Sequence, residues 1–477
     1  MSAELLIEAG PIETRIALVE DGRLTEFRIE RDEHPSLVGS IWLGRVTRIA
    51  TGVQAAFVDL GLPRAGFLNA REAQALKPDG AGLPIEKLLH EGQAILVQVR
   101  KDAQGDKGVG LSTLINLPGR LLVYTPHDRT VSVSRRIASM AERARLQLAL
   151  ADLSIGGAVI RTAAEGVAEA VVRAEAERLA AEFAAMQQDA TRVKAPACLW
   201  QEPDAPARAV RDRLTASLDR VLVDNADIYS GLRRQVARDL PDLRDRIELH
   251  KGPAPLFARH QLAEQIAQLA MARVALPSGG AITIEPTRAL TAIDIDSGSD
   301  TAGPDLERTA LRTNMEAADE IARQLRLRDI GGIVVIDFIQ LASAESRERL
   351  MGRLRAALAP DRAPVRIGEL SDFGLVELTR RRSGEALHQR LETICDACAG
   401  TGRRTSVEAA MADALRALAQ EAAALPGRKL TLRLSPEVAE RVSAHGRASE
   451  WLRSIGVAIT ITADARLSVG QQEIVVT

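Results

Sequence analysis

The stretch ALTAIDIDSG (residues 289–298) places two carboxylates, Asp294 and Asp296, two residues apart in an otherwise apolar run. Side chains alternate between the faces of a β-strand, so the two Asp share one face while Ile293 and Ile295 share the other. The run reads as a strand that delivers acid to one place. Ionised carboxylates withdrawn from water need a cation or strong donors, so the pattern asks either for a metal ion or for a solvent-facing edge. Further along, GGIVVIDFI (331–339) reads as a buried central strand with Asp337 near its C-terminal end, the end at which ligands collect in open α/β sheets. One helix of crossover length separates the two strands, which lets Asp294 and Asp337 converge on a cation. A strand ending in Asp is also an ordinary helix cap or edge. The metal-binding Asp of nucleotide hydrolases has the same setting, but no Gly-Lys-Ser or Gly-Lys-Thr occurs anywhere in the chain, so a phosphate loop is missing, which argues against an NTPase.

Around this pair the pattern predicts strands AITIEP and ALTAIDID, a helix over about 304–328, the apolar strand, a helix near 343–359 and the strand PVRIGEL before the basic run Arg380-Arg381-Arg382. That alternation is the grammar of an α/β layer with a buried sheet. Towards the N-terminus, ELLIEAG and TRIALVEDGRLTEFRIE read as strands with a hairpin at Asp21-Gly22. Five short strands follow between Gly39 and Leu114, broken by turns that include the Pro78–Pro84 loop, and they suggest a small barrel of the oligonucleotide-binding type. Residues 118–206 mix strands with Ala-rich helices near 139–152 and 166–188, and end in the Pro-rich KAPACLWQEPDAPA, which reads as a linker. Helical periodicity dominates 207–240 and 258–274.

The 477 residues are too many for one core and predict about three or four units. Apolar residues at 46% and charged residues at 26% are ordinary for a soluble globular protein, and a net charge of −2 gives no global sign of a polyanion partner. Any nucleic-acid surface must therefore be a local arginine-rich patch. The N-terminus lacks a basic-then-apolar leader, and no run of about 18 apolar residues occurs, which predicts a cytoplasmic protein with no transmembrane segment.

Three cysteines make no disulfide framework. Cys395 and Cys398 form one Cys-x-x-Cys in TICDACAGTG, where the glycines permit the turn of a zinc knuckle, while Cys198 stands far away and no two of the seven histidines have zinc-ligand spacing. Structural zinc needs four ligands. Two chains each giving two thiolates would complete a site across a two-fold axis; a thiol redox pair and a metal-free turn are the alternatives. In the expected barrel, Phe57 and Phe67 follow the pattern of base-stacking platforms, with Arg64 and Lys107 near in sequence. Two such Phe are also ordinary core.

Taken together, ALTAIDIDSG, EAADEIARQLRLRDIGGIVVIDFI and CDACAGTG resemble the catalytic region of the ribonuclease E/G family of bacterial endoribonucleases. GRVTRI, QAAFVDLG and GFL resemble its S1 domain, VIRTA its 5′-end sensor, and PLF with LPSGG the approach to its catalytic domain, so the likeness runs along essentially the whole chain. It implies a multidomain α/β protein: an RNase H-like fold split over 1–34 and 207–270, an inserted S1 barrel over 35–117, a 5′-sensor domain over 118–206, a DNase I-like catalytic domain over 271–391, a zinc link over 392–405 and a small domain over 406–477. It implies a magnesium-dependent endoribonuclease acting on single-stranded, A/U-rich RNA in processing and decay, with a preference for 5′-monophosphorylated substrates. By the same mapping Asp294 and Asp337 bind Mg2+ with Asp296 beside them, Cys395 and Cys398 share Zn2+ with a second chain in a homodimer and then a dimer of dimers, Phe57, Phe67 and Lys107 grip RNA, and Arg161 and Thr162 contact the 5′-phosphate.

Three positions depart from the family pattern. Asp296 stands where the family has Asn, Asp396 replaces a Pro within the knuckle, and Pro364 occupies a position that is basic in ribonuclease E. Asp296 adds negative charge beside the metal, and Pro364 removes a phosphate contact. Both fit a competing class, an RNA-binding paralogue that has lost catalysis.

Overall fold

The strand Leu290–Asp296 sits third in a six-stranded sheet whose order is Arg273–Ala275, Ala281–Pro286, Leu290–Asp296, Gly332–Asp337, Leu375–Arg380, Val365–Leu370. In the computed structural model residues 2–31, 36–76, 82–103, 107–151, 156–215, 217–298, 306–382, 385–398 and 400–476 are described. Only Leu290–Asp296 and Gly332–Asp337 run parallel, joined by the helix Leu306–Leu327; the other pairings are antiparallel. The helices Leu306–Leu327 and Ala344–Leu358 cover one face, where Ile293, Ile295, Val334 and Ile336 pack on Leu311, Ala317, Ala318, Ile321 and Leu325. Each such Ile or Leu contributes about 1.5–3 kcal/mol by leaving water, and the adjacent alanines let helix and sheet approach closely. The opposite face is open, with Ile333 49% exposed. The expected buried sheet is therefore corrected to a mixed sheet covered on one side. The strand Leu375–Arg380 was not foreseen, because its alternation abuts the basic run that marked a boundary.

The N-terminal strands Ala3–Ala9, Glu13–Glu20 and Arg23–Arg31 form an antiparallel set, and Arg220–Val223 and Ile247–Leu249 extend it in parallel on the far side of Ala3–Ala9. The hairpin at Asp21-Gly22 is present, with φ of 49° and 76°, the left-handed pair that a tight two-residue turn demands. Between these halves of one sheet lies a closed five-stranded barrel of Ile41–Ala50, Ala55–Asp59, Gly66–Asn69, Gly110–Ser112 and Ala94–Lys101, with Ile41–Ala50 also pairing with Ala94–Lys101. All five strands coincide with those expected. Most of the Pro78–Pro84 loop, and the expected boundary at 34–35, lie outside the described residues.

The stretch read as a linker is in part a sixth strand. Ala197–Trp200 pairs with Ile41–Leu43 on the barrel, and the helix Ala205–Arg213 begins right after it on an Asp204 cap. Cys198, Leu199 and Trp200 suit a strand edge, and the prolines on either side only bound it. The region 207–240 is likewise interrupted by Arg220–Val223, and 258–274 breaks into short helices followed by Arg273–Ala275. A further four-stranded sheet, Val131–Val133, Gly157–Ile160, Leu122–Thr125, Leu117–Pro118, carries the helices Met140–Leu148 and Glu169–Arg192.

The chain divides into two units, Met1–Arg390 and Leu391–Thr477. The second holds the three-stranded sheet Ile459–Ala463, Leu430–Leu434, Gln472–Val476, with the helices Val407–Ala424, Pro436–Ala444 and Gly446–Ser454 around its own core of Leu418, Leu430, Leu432 and Val442. Among the described residues no helix is long and apolar enough to cross a membrane.

Candidate active site and RNA-facing surfaces

Asp294 and Asp337 are register partners across the one parallel ladder of their own sheet. Their backbones lie about 4.8 Å apart, and alternation turns both side chains to the open face, where both are exposed. The row through them continues with Thr283 and Arg273 on one side and Leu375 on the other. Among the described residues no ion pair neutralises either carboxylate, and no third His, Cys, Asp or Glu joins them in a cluster. Two adjacent, uncompensated carboxylates repel one another, which a cation would relieve. Such a donor set suits Mg2+, which keeps most of its waters and takes one or two carboxylates plus phosphate oxygens.

Asp296 shares their face but is otherwise engaged. Its Oδ1 accepts from the Gly298 amide at 2.9 Å and its Oδ2 from Arg273 Nη2 at 3.2 Å. The Gly298 amide first, and then Arg273, hold its carboxyl below the usual range. The extra negative charge that distinguishes this position is thus met by a neighbouring guanidinium. Sequence reading missed Arg273, because the contact reaches over the intervening strand Ala281–Pro286.

It also missed Asn314. This residue is buried in the helix Leu306–Leu327, and its amide donates to Ile339 O at 2.7 Å and accepts from Ile339 N at 3.1 Å. The chain leaving Asp337 is thereby clamped two residues later. Glu307, on the same helix, accepts from the amides of Ala342 and Ser343, which pulls its carboxyl down. A polar residue at a core position of an amphipathic helix was the available signal for Asn314.

On the barrel, Phe57 and Phe67 are cross-strand partners with ring centroids 5.9 Å apart, tilted at 74°. Arg48 lies over the Phe57 ring at 4.4 Å. The pair is not core: Phe67 is 38% exposed, while Ala56, Val58 and Leu68 fill the barrel interior. Lys107 is exposed, next to Gly108, whose backbone runs so close to Ala65 O that a Cβ there would stand only 2.0 Å from it. Phe67 N donates to Val109 O at 2.8 Å, so the Lys107 segment and the aromatic pair occupy neighbouring tracks of one surface.

Arg161 and Thr162 follow the strand Gly157–Ile160. Thr162 Oγ1 lies 3.1 Å from Ser134 Oγ, and Arg161 Nη1 donates to Asp212 Oδ1 at 2.7 Å. Burial, which pushes the Asp212 carboxyl up, is outweighed by Arg211 and Arg161, and it lies at about 2. Arg161, Asp212, Arg362 and Pro364 line a cleft of about 580 Å3. Arg362 is lowered to about 10 by burial and by Arg213, so cationic charge is crowded where Pro364 adds none.

In the second unit, Cys395 is exposed and Cys398 half-buried. Cys398 N donates to Cys395 O at 3.3 Å, closing the turn. The amides of Gly402 and Gly400 hold the Cys398 thiol below its ordinary range, the state that a metal ligand requires. Two sulfurs on one turn fit half of a tetrahedral zinc site. Cys198 belongs to the barrel edge, where burial pushes its thiol up.

The chain as a whole is similar to known proteins. The model of the "Ribonuclease E/G family" matches residues 116–383. Ribonuclease G of Escherichia coli (strain K12) is 36% identical over 467 residues, covering 96% of this chain and 95% of that protein. Ribonuclease G of Haemophilus influenzae is 35% identical over 100% of this chain and 99% of its own. Ribonuclease E of Haemophilus influenzae is 40% identical over 86% of this chain, but the match spans only 45% of that longer protein. With the match to the family model covering more than half of the chain, and relatives aligned from end to end, the chain belongs to the ribonuclease E/G family.

Proposed function

We propose that this endoribonuclease cuts single-stranded RNA with magnesium held by Asp294 and Asp337, leaving 5′-phosphate and 3′-hydroxyl ends, and that it serves RNA processing and decay in the cytoplasm. One observation carries the reading: two carboxylates with no ion pair among the described residues stand in register on adjacent strands of an open sheet face. Magnesium bound there would supply an activated water and countercharge for the phosphorus centre. The chain's own part is to hold the ion, to keep Asp296 neutralised through Arg273, and to fix the backbone after Asp337 through Asn314. Phe57, Phe67, Arg48 and Lys107 are read as the grip on unpaired bases, and Arg161 with Thr162 as the contact for a 5′-monophosphate, since a guanidinium fork and a hydroxyl match phosphate oxygens.

The proposed architecture follows the family: an RNase H-like fold from 1–34 and 207–270, an S1 domain over 35–117, a sensor over 118–206, a DNase I-like domain over 271–391 and a small domain over 406–477. Cys395 and Cys398 are proposed to share zinc with a second chain, making a homodimer. The competing reading, an RNA-binding paralogue without catalysis, drew on Asp296 and Pro364; the Arg273 contact removes the charge argument from the first of these.

The test is incubation of the purified protein with a 5′-monophosphorylated single-stranded oligonucleotide, with magnesium and with EDTA, followed by mapping of the ends. Magnesium-dependent internal cuts with 3′-hydroxyl ends are expected. Binding without cutting would favour the paralogue.

A further inference from the structure

The seven phenylalanines divide by environment. Phe27, Phe183, Phe257 and Phe338 are buried, and Phe57 and Phe67 make the barrel pair. Phe373 belongs to neither group. It is 80% exposed, in the turn between the strands Val365–Leu370 and Leu375–Arg380.

That turn is pinned. Gly374 N donates to Ser371 O at 3.0 Å, Ser371 N to Leu375 O at 2.9 Å, and Leu375 N to Ser371 Oγ at 3.1 Å. Phe338 N, the residue after Asp337, donates to Gly374 O at 3.1 Å. Gly374 has φ +84°, and a Cβ there would stand 2.9 Å from Phe338 O, so glycine is what lets the turn lie against the end of the Asp337 strand. Leu375, two residues beyond Phe373, is the register partner of Asp337. Two residues of chain reach at most about 7 Å and one strand spacing adds about 4.8 Å, so the Phe373 backbone is held within about 12 Å of the Asp337 backbone, with its ring open to solvent.

We propose that Phe373 is a stacking platform for an unpaired base flanking the scissile phosphate, an inference that rests on the reading of Asp294 and Asp337 as the cutting site. A ring on a rigid turn loses little freedom when a base covers it, and since every base has a π-face the contact tolerates sequence. The same RNA strand would then be stacked at two places, on the barrel and beside the cut, so the enzyme holds the strand on the chemistry itself rather than only at a distance.

The test compares Phe373→Ala, Phe373→Leu and Phe373→Trp on one RNA, and on the same RNA with abasic residues flanking the cut. Phe373→Ala raises KM about five- to a hundredfold on intact RNA, Phe373→Trp restores it, Phe373→Leu does not, and the gap between wild type and Phe373→Ala closes on the abasic RNA. Equal KM for wild type and Phe373→Ala, or Leu serving as well as Trp, overturns the proposal. Binding is read apart from cleavage, in EDTA, as quenching of the added indole fluorescence of the Phe373→Trp protein by uncut RNA. Quenching in EDTA by a protein that still does not cut once magnesium is restored refutes the magnesium reading and keeps the platform; cutting in magnesium without quenching in EDTA overturns the platform alone.

Discussion

Asp337→Asn separates chemistry from stability at the acidic pair. Asp294 and Asp337 face one another on strands about 4.8 Å apart, and both are exposed. At water-like screening two like charges at that distance repel by about 1 kcal/mol. Removing one charge without changing side-chain shape should therefore leave the fold as stable or slightly more so, a rise in Tm of no more than about 2 °C for a unit of this size, and salt should erase the gain. Magnesium should reveal the site in the wild type: at a hundred times its Kd a ligand specific to the folded state stabilises by about 2.7 kcal/mol. The variant should lose most of that response together with cleavage. The assay is thermal unfolding followed by intrinsic fluorescence, in EDTA and across a magnesium titration, beside cleavage of a labelled oligonucleotide. A variant that unfolds well below wild type in EDTA, gains as much from magnesium, or still cuts would refute the reasoning, because each outcome means that the pair is not an uncompensated cation site.

Arg273→Ala should raise KM for RNA about two- to fivefold, the scale of one exposed ion pair, because Asp296 then faces the phosphate unneutralised; adding Asp296→Asn should reverse the rise, as steady-state kinetics would show. Metal analysis of the purified protein should find about one zinc per two chains, and Cys398→Ser should abolish it and shift the species to smaller mass in light scattering. Arg161→Ala should lower the preference for 5′-monophosphate over 5′-hydroxyl RNA about tenfold or more, measured as a ratio of kcat/KM on matched oligonucleotides. Asp212 has a depressed carboxyl, at about 2, so its contribution to stability is complete above its ordinary value and is lost as pH falls from about 4 to about 2; acid unfolding of Asp212→Asn should be flatter than wild type in that window.

Much of the site was legible because it obeys period two. The alternation that puts Asp294 on one face and Ile293 on the other is local, and so is the apolar run that ends at Asp337. Their pairing in register is not local, since it depends on where a long helix returns the chain. Arg273 was invisible for the same reason: its partner Asp296 lies beyond the intervening strand, and nothing in ARVALPSGG marks that arginine. Phe57 and Phe67 could be read as core or platform, because a barrel strand shows the same alternation whichever face is wet; only closure of the barrel around Val58 and Leu68 shows that the pair lies outside the core. The strand Ala197–Trp200 was masked by flanking prolines that bound it without forbidding it. Phe373 sits among turn residues whose sequence, SDFG, gives the turn but not its place against Asp337.

The parallel pairing of Ala3–Ala9 with Arg220–Val223 also has a consequence for biosynthesis. The first strands leave the ribosome with Leu5, Leu6 and Ile7 ready to be buried, yet their partner strand is made more than two hundred residues later. At about 5–20 residues per second that is a wait of roughly 10 to 40 s, during which the barrel and the sheet behind it can close. The N-terminal hairpin must keep an apolar edge from pairing with neighbouring nascent chains for that whole interval, so this enzyme's yield in the cell should depend on chaperone supply and translation speed more steeply than its finished stability would suggest.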